Sequence, residues 1–449
     1  MEGKKIPGPQ GNIIFGGAGE MQKNPLNYLM NMDKNYPGIA NWQLLHLNIV
    51  LLSDPKLIRV VLQTNQKQYI KNSAYKQVEL LLGQGLVTSE GELWKRQRKL
   101  IQPSFHKQSI FNLFEDMLGC TNETIAEWKE KVKKAENIDF AEEMMKITLQ
   151  IIGKTMLSTD VKAEAGSVNV SLGYLLKAID HRATQALNLP LWVPTKNNFK
   201  FKKERKVLDE IIYKIINERR KSGSKGHDLL DMLMESKYED TGEHMPDNLL
   251  RDEVMTIFLA GHETTAAALA WTFYLIATHP EVYKKLKQEV KDVVGDGEIT
   301  FQHLQQLKYS KACLNEAMRL YPPIWIIGRR ALEDTMVGDY LIKKDTDILI
   351  SPFIVHHDAA YWKNPEVFSP ERWETEEVKD MDKFAYFPFA AGPRMCIGNN
   401  FALLEADIII TKIIQNFDFE YAGTEAPVVE PTLTLRVKNG MPMKVKGEE

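Results

Sequence analysis

Cysteine is scarce in this chain: 3 in 449 residues, at Cys120, Cys313 and Cys396, with no Cys-x-x-Cys pair and no Cys/His cluster. That spacing argues against a disulfide framework and against structural zinc, and suits a reducing compartment. Long apolar runs are missing too. No stretch approaches the roughly 20 apolar residues that a membrane-spanning helix needs, and the start, Met1-Glu2-Gly3-Lys4-Lys5-Ile6-Pro7-Gly8-Pro9, has no hydrophobic signal core. The expectation is a soluble, cytoplasmic protein without a membrane anchor, a trimmed membrane-anchored parent being left open. A formal net charge of -3 lacks the basic excess of a nucleic-acid binder. Linkers, internal repeats and low-complexity segments are absent as well, so residues 1–449 read as a single domain working as a monomer.

What is present is mostly helical periodicity, with short β-rich stretches near Ile39 to Leu52 and from Ile324 to Ile354. The longest helix is expected to begin after Pro246-Asp247 and to run to Thr278, where His279-Pro280 stops it. Inside it an apolar run is broken by Ala260-Gly261-His262-Glu263-Thr264-Thr265. A Thr hydroxyl there can bond the carbonyl one turn back and loosen the helix, and Gly261 would open space beside the backbone. The charge run from Lys200 to Arg220 reads as a solvated helix face.

The most informative segment is Phe389-Ala390-Ala391-Gly392-Pro393-Arg394-Met395-Cys396-Ile397-Gly398. Two glycines allow the chain to wrap closely around the Cys396 sulfur, Pro393 stiffens the wrap, Phe389 shields the thiolate, and Arg394 can reach an anionic group nearby. A thiolate in an apolar pocket needs a metal's charge and backbone N–H donors, which points to haem iron.

This pattern, Phe389, Gly392, Arg394, Cys396 and Gly398 in F-x-x-G-x-R-x-C-x-G, resembles the haem-binding signature of the cytochrome P450 monooxygenases. Ala391, where that family often carries glycine or another small residue, is a mild variant. The resemblance extends over nearly the whole chain. Ala260, Gly261, Glu263 and Thr264 match the family's A-G-x-[D/E]-T motif, whose acid and alcohol help deliver protons to iron-bound oxygen; Thr265 is left structural. Trp94 and Arg98 resemble a W-x-x-x-R helix that binds haem propionates, and Arg329 fits another propionate arginine, with Arg330 as the alternative inward residue. Glu316 and Arg319, an E-x-x-R pair, together with Arg372 of Pro370-Glu371-Arg372-Trp373, resemble the family's buried ionic network and are read as structural.

The resemblance implies a mainly α fold with small β-sheets, a triangular helical haem domain, holding haem b with Cys396 as axial thiolate. It implies a monooxygenase that inserts one oxygen atom of O2 into a substrate C–H bond, giving hydroxylation, or O-demethylation where the carbon bears an ether oxygen. With no flavin or nicotinamide domain in the sequence, electrons are expected from a separate ferredoxin and its reductase, docked by lysines and arginines near the Cys396 loop. The competing readings are a peroxide-driven peroxygenase and a haem-based ligand sensor. Cys313, His262, His106, His356 and His357 enter no metal or catalytic role. The substrate pocket is expected from loops around Tyr69 to Thr88, Leu175 to Trp192 and Ile324 to Ile327. Leu80, Leu81, Leu82, Ile324 and Ile326 suit an apolar ligand such as a fatty acid or terpenoid. His181, Gln185 and Asn188 would suit a sugar ether if they point inward.

Overall fold

The computed structural model of the protein describes residues 3–9, 16–44, 47–134, 136–185, 188–223, 228–238 and 242–447. Its axis is the helix Asp247–Thr278, with the bounds the sequence leads one to expect. Pro246 stays extended at the entry, Asp247 places a carboxylate against the positive end of the helix dipole, and the residue before Pro280 cannot continue the helix. Nearly every face of it is buried, because helices Phe140–Leu157, Lys196–Ser222, Lys308–Leu320 and Asn399–Asn416 all pack against it. The charged helix Lys196–Ser222 buries only a stripe, including Phe201, Leu208, Ile212 and Ile216, and turns most of its charges outward. Fully buried Phe258, Trp271 and Phe273 give the central helix its grip. Each contributes about 1.5–3 kcal/mol of apolar burial, and truncating Phe273 to alanine would cost about 3–5 kcal/mol. Trp271 also donates its indole N–H to the Leu435 carbonyl at 2.9 Å and stacks on Tyr321 at 4.0 Å.

The strands of the described residues form four separate sheets. A five-stranded sheet runs in the order Ile39–Leu44, Leu47–Leu52, Asp347–Ile350, Ile327–Ala331 and Tyr69–Ile70, with only the Leu47–Leu52/Asp347–Ile350 pair parallel. Both β-rich stretches of the sequence thus meet in one sheet. Further strands at Phe417–Tyr421, Val428–Pro431, Leu435–Lys438 and Pro442–Gly447 lie outside those stretches and form two small C-terminal sheets, one of them with Ile138–Asp139. Among the described residues no helix is long and apolar enough to cross a membrane.

Candidate active site

Cys396 follows a tight turn at Gly392–Arg394 and is fastened by its own N–H, which donates to the Phe389 carbonyl at 2.9 Å. Glycine's freedom is needed at Gly392, where φ is +71° and a Cβ would collide with the Leu62 carbonyl. It is not needed at Gly398, where φ is -90° and a Cβ would only touch Phe105 at 3.7 Å and the sulfur at 4.0 Å. The Gly398 N–H instead serves the sulfur as a donor. Burial pushes the Cys396 thiol up from its ordinary value, against that N–H and the Arg98 charge, yet the residue is open to solvent contact. A side chain both deep and accessible lines an interior cleft. Phe389 packs against the main core beside it.

Basic groups gather around this loop. Arg98 donates to the Met395 carbonyl at 2.9 Å. Arg394 donates to the Ser89 carbonyl at 2.9 Å, pairs with Glu90, and lies 3.8 Å from the Trp94 ring centroid. Lys71, which sequence reasoning missed, donates to the same Ser89 carbonyl at 2.6 Å and sits 3.6 Å from Glu90. Arg329 is buried in its strand and, among the described residues, bonds only the Gly328 carbonyl, at 2.9 Å, whereas Arg330 turns to Asp347 at 2.6 Å. Arg329 thus has no carboxylate partner among the described residues, and Arg330 has one. Of the four basic side chains Lys71, Arg98, Arg329 and Arg394, Lys71 and Arg394 pair with one carboxylate, Glu90, while Arg98 and Arg329 bond only backbone carbonyls among the described residues. Their crowding has a price: burial first, then Arg394 and Arg329, pull Lys71 down to about 7, and burial with the Arg329 and Arg98 charges pulls Arg394 down to about 10.

Across the central helix the exposure pattern breaks at the motif. Ala260 is exposed and Gly261 and Thr264 half-buried, while His262 and Glu263 are buried. Thr264 donates to the Ala260 carbonyl at 2.9 Å and Thr265 to the Gly261 carbonyl at 3.2 Å, the back-bonding expected of this segment. The space beside Gly261 is not an opening, however: a Cβ there would meet the Ile152 side chain, so this glycine lets helix Phe140–Leu157 approach. Glu263 is turned toward the C-terminal sheet, where its Oε1 takes the Arg436 guanidinium at 3.0 Å and the Thr434 hydroxyl at 2.8 Å. Its Oε2 is buried without a partner. No local spacing signals that pairing.

The three-part ionic network is present. Glu316 bonds Arg319 at 2.8 and 3.0 Å and Arg372 at 2.8 Å, and the Glu316 and Arg319 side chains are fully buried. His356, one of the histidines left without a metal, accepts the Phe387 N–H at 3.0 Å.

The family model described as Cytochrome P450 matches residues 6–444. The chain is a cytochrome P450. Among its curated relatives, "Cytochrome P450 4V2" of Homo sapiens is 33% identical over 426 residues, covering 89% of this chain and 80% of that one. "Cyclooctat-9-en-7-ol 5-monooxygenase" of Streptomyces melanosporofaciens is 30% identical over 401 residues, covering 89% and 86%. "Protein LUTEIN DEFICIENT 5, chloroplastic" of Arabidopsis thaliana is 30% identical over 444 residues, covering 91% and 72%. The P450 family makes this an oxygenase enzyme with haem under thiolate ligation, acting on a substrate with O2 and redox partners. The donor set of this P450 fits that group: an accessible thiol with an N–H aimed at it, and a cluster of bases short of carboxylates to meet an anionic edge.

Proposed function

We propose that this P450, as one haem domain over residues 1–449, hydroxylates an apolar substrate, with O-demethylation where the attacked carbon carries an ether oxygen. The observation that carries the reading is the accessible Cys396 thiol in its pinned loop, ringed by Arg98, Arg329, Arg394 and Lys71. In this reading the Cys396 thiolate would hold haem b, and the basic cluster with the Trp94 indole would meet its propionates. Bound there, haem would supply reductive activation of O2 and insertion of one oxygen atom into a C–H bond.

The chain's own residues handle substrate and protons. Ala260 and Thr264 give the open face of the central helix, and Gly261 brings helix Phe140–Leu157 against it. Thr264 carries a hydroxyl that can exchange its bond to the Ala260 carbonyl for one to a water in the cleft. Glu263 Oε2, buried and unpartnered, is the atom positioned to take up and pass on a proton while Oε1 stays with Arg436 and Thr434.

An apolar substrate is favoured because the alternative loses its residues. His181 and Gln185 are exposed and bond each other at 2.7 Å, and Asn188 donates to the Arg182 carbonyl at 2.6 Å. Leu80, Ile324 and Ile326 remain half-buried apolar side chains, whereas Leu81 and Leu82 are core. The reading includes a separate ferredoxin and its reductase as the electron source. Three unpaired thiols suit the reducing cytoplasm.

The test is turnover of fatty acids, terpenoids and methylated sugars with ferredoxin, reductase and isotopically labelled O2. Label in the product, with substrate-dependent NADH consumption, is the expected result. Product from peroxide alone would replace this reading by a peroxygenase, and spectral binding without any product by a sensor.

A further inference from the structure

Before the Ala260 groove, three consecutive residues of the central helix grip another segment. Arg251 Nη1 donates to the Leu81 carbonyl at 3.0 Å, Asp252 accepts the Gln84 N–H at 2.8 Å, and Glu253 Oε2 accepts the Leu86 N–H at 3.0 Å. The segment lies flush on the helix, since a Cβ on Gly85 would strike the Thr256 hydroxyl. It then closes on itself through the Thr88 hydroxyl, which donates to the Gly83 carbonyl at 2.6 Å, and runs into Ser89 and Glu90, the two residues that hold Lys71 and Arg394. Residues 83–88 thus form a strap from the central helix to the basic cluster beside the Cys396 loop.

Under the strap, polar atoms are left over. Glu253 Oε1, Thr256 Oγ1 and Gln97 Oε1 are all buried without partners, and each belongs to a residue that touches the strap; Gln97 Nε2 donates to the Gln84 carbonyl at 2.7 Å. Glu253 itself is fully buried. An ionised carboxylate there, with one N–H and no cation, would be severely penalised, whereas a carboxylic acid brings an O–H donor among orphaned acceptors, directly or through a bound water.

We propose that Glu253 is a positioning residue whose buried carboxyl pins the strap Gly83–Thr88 across the edge of the haem site and thereby controls how readily that edge opens to substrate. The proposal rests on the haem-site reading of the Cys396 cleft. Burial, reinforced by Asp252, pushes Glu253 up to about 8. The surrounding charges do not offset this. Arg251 is committed to Asp209, Asp252 and the Leu81 carbonyl, Arg98 to the Met395 carbonyl, Lys95 to Glu92, and Arg219 to Asp228 and Asp231. With the strap open and Glu253 in water, its carboxyl titrates in the ordinary range. Between the two values each rise of one pH unit favours opening about tenfold, because only the open form has released its proton.

The experiment is amide hydrogen exchange of Leu86 in the haem-loaded protein between pH 6 and 8, expressed as protection relative to an unstructured peptide. Protection should fall by up to about tenfold per pH unit in the parent and stay level in Glu253→Gln, which keeps the acceptor and cannot ionise. Level protection in the parent, which needs no variant to interpret, would overturn the proposal, as would a parallel fall in the Gln variant. A missing thiolate-haem absorption spectrum would instead overturn the haem-site reading, and the exchange data do not depend on turnover.

Discussion

Glu316 is the residue whose loss the structure predicts most sharply. Its carboxylate accepts five hydrogen bonds: from Arg319 Nε at 3.0 Å and Nη2 at 2.8 Å, Arg372 Nε at 2.8 Å, Trp373 Nε1 at 3.0 Å and the Ser369 N–H at 3.1 Å. Glu316→Ala strands two guanidinium groups, one of them fully buried, without a counter-ion. They keep carbonyl partners, Arg319 at His356, Pro365 and Val367, and Arg372 at Lys363, Asn364 and Val367, so their hydrogen-bonding is only partly lost. Those bonds hold the cost to about 3–5 kcal/mol rather than the full penalty of a bare buried charge. Against a total stability of about 5–15 kcal/mol, that is roughly a fifth of the whole at the least. Equilibrium urea unfolding of the haem-loaded protein, followed by circular dichroism and by thiolate-haem absorption, should show a midpoint lowered in proportion and incomplete haem incorporation. Replacing the pair together, Glu316→Leu with Arg319→Met, should recover part of the loss, because the stranded charge goes with its partner. Full haem loading in Glu316→Ala, with stability within about 1 kcal/mol of the parent, would refute the reasoning.

Gly392→Ala should abolish the thiolate-haem spectrum without unfolding the protein, since its Cβ would meet the Leu62 carbonyl at a φ of +71°; a normal spectrum would show that the loop has slack. Glu263→Gln should leave the substrate-induced spin shift intact while product formation falls about 100-fold and peroxide release rises, the scale of a lost general acid; unchanged coupling would remove Glu263 from the proton path. Lys71, held down to about 7, should be returned to its charged form by anionic propionates. Haem binding then takes up a proton, so affinity is greatest below pH 7 and declines as pH rises above it. Lys71→Arg, always charged, should show no such decline in a haem-transfer competition, and equal slopes for both proteins would exclude Lys71 from the propionate site.

Much of the fold was legible because its signals are local. Pro246-Asp247 and His279-Pro280 bracket the central helix, and the β-rich stretches declare themselves by composition. The network of Glu316, Arg319 and Arg372 was legible only through family resemblance, as an E-x-x-R pair by itself reads as an ordinary solvated pair. Other features had no local signature at all. Glu90 and Lys71 adjoin Arg394 although they lie far from it in the sequence, and Arg436 reaches Glu263 from the C-terminal sheet. Gly261 misled in the opposite direction: a small residue in a helix signals close approach, and whether a groove or a neighbouring helix approaches depends on Ile152, which no motif contains.

Glu253 and Glu263 show why the site cannot be read from residue types. They are the same side chain on one helix, both buried, each with one oxygen left without a partner. What separates them is the second element each one meets. Glu263 faces Arg436 and Thr434, which hold its Oε1 and leave Oε2 free to exchange a proton. Glu253 faces only the Leu86 N–H and a neighbouring Asp252, and remains a proton donor near neutral pH. Removing the Arg436 anchor tests the role: Arg436→Leu should release the Glu263 carboxylate from its place, so that product formation falls and peroxide release rises as in Glu263→Gln. If coupling is unchanged in Arg436→Leu, Arg436 is not what positions Glu263.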